Sequence, residues 1–204
     1  MSNTKRNVQR NEFHNWIMKQ KWEDLLFIHL PIKKEAVKAH IPRELELDTF
    51  DGTAWISIVV FRVGHLRLKY LPTVPFFRSF LEMNIRTYVK RANVSGVYFF
   101  SLDANHLPAV VGARLFSLPY YFAGITLEKS LESIRFASRR DRNTEFTCHY
   151  KPLKDQFVPE SESLDEWLME RYQLWTFLHD RLVWGEIHHP PWILQEVDVT
   201  FTNR

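Results

Sequence analysis

The chain is poor in cysteine, in glycine and in long apolar runs. Cys148 is its single cysteine in 204 residues, and it has six glycines. One cysteine rules out an intramolecular disulfide and four-cysteine zinc modules. Glycine at about 3%, against a norm of roughly 7%, argues against repeats and flexible linkers. The longest apolar stretch, Trp55–Phe61, is broken by Ser57 and falls far short of the ~20 residues of a spanning helix. The first ten residues hold Lys5, Arg6 and Arg10 with no apolar segment, so no secretory leader is read there. Gly-x-Gly-x-x-Gly, Walker, His-Glu-x-x-His and Gly-x-Ser-x-Gly patterns are all missing, so no nucleotide cofactor in a usual loop is expected. These absences set the expectation of a soluble, cytoplasmic protein with no cofactor and no membrane partner.

Aromatics are present in excess: 16 Phe, 7 Trp and 7 Tyr make 15% of the chain. Charge is nearly balanced, with 27 Lys+Arg against 24 Asp+Glu and a formal charge of +3. It clusters locally at Arg135, Arg139, Arg140 and Arg142, with an acidic counterpart from Glu160 to Glu170. Such clusters are usually solvated faces; nucleic-acid contact is the alternative.

The pattern predicts a polar arm over residues 1–20 and one domain over 21–204. Trp22–Leu30 reads as a strand and Lys33–His40 as a short helix. Leu45 and Leu47 point inward, with Glu46 and Asp48 outward. Asp51-Gly52 signals a turn before a strand at Trp55–Val63. That strand is apolar on both faces, as in the middle of a sheet. Leu66–Ser79, with Pro72, Pro75 and Phe76-Phe77, reads as a long loop. Leu81–Lys90 alternates strictly. A turn at Asn93–Gly96 leads to a strand at Val97–Ala104. Pro108–Leu118 reads as a helix with proline in its first turn. Three strands follow at Tyr121–Leu127, Leu131–Ser138 and Glu145–Lys151. Ser163 and Glu166 form a capping box. The helix they open carries Leu164, Trp167, Leu168, Trp175 and Leu178 on one face and ends near His179-Asp180. Strands at Leu182–His188 and Ile193–Phe201 finish the chain. Many strands with few helices predict an α+β fold with an antiparallel, barrel-like sheet.

Several side chains stand out chemically. Glu82, Asn84, Arg86 and Tyr88 share one face of Leu81–Lys90. That face is either the solvent side of a sheet or the lining of a cavity, with Glu82 and Arg86 as orienting charges. Ser101 and Asp103 carry the same ambiguity. Arg114, alone in an apolar helix, needs an anion such as Asp103 or Glu82, or else packs its stem on the surface. Glu186 and His188 share a strand face, but no third metal ligand is identifiable. Cys148 and His149 point to opposite faces of a strand and make a poor catalytic pair.

The stretches Ser79-Phe-Leu-Glu-Met-Asn-Ile-Arg-Thr-Tyr-Val89, Tyr98-Phe-Phe-Ser-Leu-Asp-Ala104 and Gly112-Ala-Arg-Leu-Phe-Ser-Leu-Pro-Tyr-Tyr121, with Glu46–Gly52, Glu170–Tyr172 and His188-His-Pro-Pro-Trp192, resemble the YqjF-like uncharacterised family. That family looks like a branch of the acetoacetate decarboxylase-like superfamily. The resemblance implies a closed, cone-like antiparallel β-barrel with flanking helices, an internal pocket and homo-oligomers. In the decarboxylases a Lys-Lys pair supplies the Schiff base, one lysine lowering the pKa of the other. Here the matching segment carries Tyr120-Tyr121, and a phenol forms no imine. Glu82 falls where the decarboxylases keep an active-site Glu. The resemblance therefore implies a pocket for a small carbonyl or carboxylate compound, lined by Arg86, Asp103, Arg114, Tyr120, Tyr121 and His188. An enzyme using Glu82 as general acid/base, assisted by tyrosine or His188, is the alternative. Nucleic-acid binding by aromatics beside Arg135–Arg142 is the remote one.

Overall fold

The computed structural model of the chain describes residues 16–70, 79–178 and 181–202. Most of the expected arm, the prolines and Phe76-Phe77 of the expected loop, and His179-Asp180 lie outside them. Tandem hairpins start the larger sheet. β1 (Met18–Ile32) pairs antiparallel with β3 (Ala54–Leu68), β3 with β4 (Ser79–Arg91), and β4 with β5 (Val94–Ala104). Asp51 (φ 45°) and Gly52 (φ 79°) make the turn before β3, and Ala92 (φ 49°) and Asn93 (φ 63°) join β4 to β5. Two successive left-handed residues are what a tight hairpin demands. The second turn thus sits at Ala92-Asn93, not Asn93–Gly96, and leaves Val94–Gly96 to extend β5.

β5 then takes two parallel neighbours, β6 (Tyr120–Phe122) and β10 (Gln173–Leu178). β11 (Arg181–Glu186) pairs with β10, and β2 (Glu46–Leu47) with β4. The second sheet runs β12-β9-β8-β7, from β7 (Gly124–Lys129), β8 (Ile134–Arg139), β9 (Glu145–Phe157) and β12 (Leu194–Phe201). The strand expected at Tyr121–Leu127 is therefore two strands in two sheets. The chain changes sheet at buried Ala123, whose N–H donates to the Ala104 carbonyl at 3.0 Å. The expected closed antiparallel barrel is not seen. Neither sheet closes on itself among the described residues, and two of the pairings of β5 are parallel.

Three helices cover the sheets: α1 (Lys34–Lys38), α2 (Leu107–Arg114) and α3 (Leu164–Met169). In α2, His106 caps the N-terminus by accepting from the Ala109 N–H, with Pro108 in the first turn. Ser163 caps α3 as the sequence predicts, accepting from Glu166 N–H at 3.2 Å. Glu166 reaches back to the Glu162 N–H. No described helix is long and apolar enough to cross a membrane.

The helix expected to run on to Leu178 stops at Met169. Gln173–Leu178 is β10, laid beside β5. Its apolar spacing mimics a helical period, but tertiary pairing overrides it: β11 lies on one side and β5 on the other. Gly96 permits the contact, because a Cβ there would lie 2.6 Å from the Gln173 carbonyl oxygen and 2.9 Å from Trp175 Nε1.

One face of the larger sheet packs Leu26, Val60, Leu81 and Met83 against Ile125, Phe136, Cys148 and Tyr150 of the second sheet. The Cys148 thiol is pushed up to about 11 by that burial. The opposite face packs Val59, Phe61, Phe80 and Ala104 under α2, and Tyr88 and Val97 under α3. Asp48, expected to point outward, is 1% exposed. It accepts from Arg171 Nη1 at 2.8 Å and lies 2.7 Å from Lys90 Nζ. Arg171 also donates to the Trp167 carbonyl and covers the Trp167 ring. This ion pair ties the end of α3 to the β2–β3 region. Removing one partner of a buried pair typically costs about 3–5 kcal/mol. Arg171→Met is expected to lose stability on that scale in urea denaturation, whereas loss of a surface ion pair such as Lys151–Glu132 should cost under about 1 kcal/mol.

Candidate functional site

Glu82, Asn84, Arg86 and Tyr88 face inward. Their alternation places them on the face of β4 that looks toward α2 and α3, and each is less than a tenth exposed. β3 lies alongside, pairing Phe61 with Glu82, Val59 with Asn84 and Ser57 with Arg86. Of the two readings of this strand face, the solvent side is therefore the wrong one. A strand flanked by β3 and β5 and covered on both sides has no solvent face.

Glu82 is 4% exposed. Its carboxylate accepts from the Tyr120 hydroxyl at 2.8 Å. Burial raises its pKa to about 7, against the opposing pull of hydrogen bonds from Tyr120 and Asn84. Burial, then the Glu82 charge, raises the Tyr120 phenol well above its ordinary value. Tyr120 arrives on β6, whose parallel pairing with Leu102–Ala104 sets it beside β4's neighbour. Arg114, at the end of α2, donates from Nε to the Tyr120 carbonyl at 2.7 Å. Arg114 makes no ion pair with Glu82 or Asp103; it holds the backbone of β6.

Arg86 is 7% exposed, and its guanidinium lies 5.5 Å from the centre of the Phe27 ring. Its Nε has no hydrogen-bond partner among the described residues, and neither has Asn84 Oδ1. Next to it is a polar cluster that sequence reasoning missed. Ser57 Oγ lies 2.7 Å from His29 Nδ1 and 2.6 Å from the Tyr88 hydroxyl. Burial, then the Arg86 charge, lowers the His29 pKa to about 4. The one signal was Ser57 itself, a hydroxyl inside a strand apolar on both faces, which has to find a partner. Nothing in the sequence points to His29 as that partner.

The other predicted residues lie elsewhere. Asp103 shares the opposite sheet face with Met83 and is ion-paired with Arg140. Burial raises its carboxyl, against the pull of Arg140. Arg140 also lies 4.0 Å from the centre of the Tyr121 ring. Asp103, Tyr121 and Arg140 thus form a separate group from Glu82 and Arg86. His188 is exposed and 3.2 Å from Glu186. Its neighbour His189 turns inward instead, stacking on Tyr172 and tilting against Trp192. Of the arginine cluster, Arg135 pairs with Glu128 and Arg139 with Glu145. Two surface clefts lie apart from Glu82. One of about 680 Å³ covers Thr126, Ala137 and Thr147 of the second sheet. The other, about 640 Å³, runs between Val37 of α1 and Tyr98–Phe100.

The sequence from residue 19 to 204 matches the model of DUF2071, a family of uncharacterized conserved proteins. The chain belongs to the DUF2071 family. It is 46% identical over 186 residues to uncharacterized protein YqjF of Bacillus subtilis (strain 168), covering 90% of this chain and 77% of that one. Solved structures place the DUF2071 chain among acetoacetate decarboxylase-like folds. Acetoacetate decarboxylase from Legionella pneumophila matches with a TM-score of 0.67 at 11% identity, over all of this chain and 85% of that one. The enduracididine biosynthesis enzyme MppR, complexed with pyruvate, matches with a TM-score of 0.61 at 11% identity, over 88% and 75%. At such identities the likeness concerns the fold alone.

The buried charges of this DUF2071 chain make stability depend on pH with opposite signs. Glu82 has a folded-state pKa above its ordinary 4.5. Its contribution is full below about 4.5 and is lost as pH rises through about 7. His29 has a folded-state value below its ordinary 6.5, so its contribution is lost as pH falls through about 4. Comparison with Glu82→Gln isolates the first effect. From pH 5 to 8 the variant should gain about 3 kcal/mol on the wild type in urea denaturation. A constant difference would contradict the raised Glu82.

Proposed function

We propose that the inward face of β4 binds a small organic carboxylate, with Arg86 as its anchor. The observation that carries this reading is the Arg86 guanidinium, 7% exposed with its Nε unpartnered among the described residues. A buried cation without a hydrogen-bonded partner is costly, and a carboxylate is the group whose geometry matches it. Glu82 and Tyr120 lie on the same face and would hold a carbonyl or hydroxyl of the same molecule. MppR, of similar fold, is complexed with pyruvate, which supports a ligand of this size and charge.

The reading includes the absence of Schiff-base chemistry. Tyr120 hydrogen-bonds Glu82 at the position that the resemblance assigns to a lysine, and Lys33 and Lys34 are exposed at the start of α1. Thermal shift with pyruvate and acetoacetate is expected to raise the Tm of the wild type but not of Arg86→Gln. An equal rise in the variant, or none in either, overturns the anchor. Borohydride added with acetoacetate is expected to label no lysine; a labelled lysine overturns the substitution argument.

A second reading is favoured by the raised Glu82 alone. A carboxyl with a pKa of about 7, hydrogen-bonded to a phenol, can take and return a proton near neutrality. Glu82 would remove a proton from carbon next to the ligand's carbonyl. In D2O the wild type is then expected to exchange the methyl protons of pyruvate for deuterium, by NMR, faster than Glu82→Gln. Equal rates overturn this reading and leave the binding one standing.

A further inference from the structure

We infer that the ligand of this face carries a flat ring beyond its carboxylate, and that Trp192 selects it. The inference rests on Arg86 being the carboxylate anchor. Trp192 lies outside the strands, after His189-Pro190-Pro191. Its ring stacks on Trp22 at 6.0 Å and 15°, and meets Phe27 edge-on at 5.6 Å and 74°. These two rings flank the polar stripe. Phe27 lies under the Arg86 guanidinium at 5.5 Å. Trp22 packs at 4.8 Å on Phe61, whose cross-strand partner is Glu82. Trp192 therefore bridges the aromatic wall from the Arg86 end to the Glu82 end.

Packing alone does not account for that wall. Trp22 Nε1 is buried with no acceptor among the described residues, as Arg86 Nε is, and Asn84 Oδ1 is a buried acceptor with no donor. All three belong to residues of one sheet face. Other buried atoms lack partners too, Trp55 Nε1 and Arg171 Nη2 among them, but here two donors and one acceptor share a face, and native interiors pair most such groups. A molecule with a carboxylate at one end and a polar atom near Trp22 satisfies both donors. Between these ends the surface is aromatic. Trp22 and Trp192 present nearly parallel rings, with Phe27 perpendicular to Trp192, and a flat ring can meet such surfaces by offset stacking and by edge contact. A saturated ring of equal size buries similar area without matching the rings' charge distribution.

Trp192 is held for this role from the far side. His189 stacks on Tyr172 at 4.6 Å and touches Trp192 at 4.8 Å, while the Ile187 N–H donates to the Tyr172 carbonyl. Two consecutive prolines restrict the backbone between His189 and Trp192. The tryptophan is thus positioned from one side by Trp22 and Phe27 of the sheet and from the other by His189, which rests on Tyr172, the residue before β10.

Calorimetric titration with 3-phenylpropanoate, 3-cyclohexylpropanoate and pyruvate tests this. The two propanoates differ in the flatness of the ring and share one carboxylate. The wild type is expected to prefer the phenyl compound by about three- to tenfold. Trp192→Leu should lose that preference and keep its affinity for pyruvate, and Trp192→Phe should retain part of it. Arg86→Gln should lose all three ligands. Equal binding of the two propanoates, or a preference that survives Trp192→Leu, overturns the inference. So does binding of pyruvate without either propanoate, which leaves the Arg86 anchor standing. Binding of none of the three, or binding that survives Arg86→Gln, overturns both.

Discussion

The structure is organised around a strand buried on both faces that carries charge on one of them. β4 sits between β3 and β5, with Leu81 and Met83 packed toward the second sheet and Glu82, Asn84 and Arg86 turned the other way. Burying a carboxyl and a guanidinium away from water costs several kcal/mol per ion unless partners compensate. Everything around that face is arranged as partial compensation. Tyr120 supplies one hydrogen bond to Glu82. The ring of Phe27 supplies a π-face to Arg86.

Neighbouring polar groups are satisfied far more fully. Tyr88, Ser57 and His29 form a closed set of hydrogen bonds. Beyond Tyr88, Arg171 covers its ring and pairs with Asp48. Unpartnered buried atoms also occur elsewhere, at Trp55, Trp175, Asp103 and Arg171 among others, but those of Arg86, Asn84 and Trp22 belong to residues of one sheet face. A fold that pairs Asp48 with Arg171 and Asp103 with Arg140 is capable of pairing Arg86. Arg86 Nε finds no such partner among the described residues, and beside it burial raises the Glu82 carboxyl to about 7; buried, perturbed charges of this kind mark a candidate site.

Local pattern made much of the fold legible. The alternation of Leu81–Lys90 was readable because strand side chains change face at every residue. Ser163 as a cap and Asp51-Gly52 as a turn were readable because each answers a backbone demand within four residues. The misreadings share one cause. Gln173–Leu178 looked helical until its partner, β5, was known. Tyr121–Leu127 looked continuous until its two ends were seen in different sheets. Asp48 looked outward because period 2 says which residues share a face and nothing of what covers it. Of the site, Glu82, Arg86 and Tyr120 were legible through alternation and resemblance. His29, Ser57, Trp22 and Trp192 were not, because their relevance lies in contacts between distant segments.

Composition excluded an intramolecular disulfide and four-cysteine zinc modules, and the aromatic share announced unusual bulk. Pattern determined the strands, the caps and which residues travel together on β4. Only the tertiary structure decided that this shared face points inward, because burial depends on what is laid over a strand and not on the strand. Only it separated Asp103 and Tyr121 from Glu82, since residues on opposite faces of one sheet can be close in sequence and meet different surroundings. And only it gave the aromatics distinct tasks: Phe61, buried to 1%, fills the core, while Phe27, Trp22 and Trp192 gather beside a guanidinium whose Nε has no partner among the described residues.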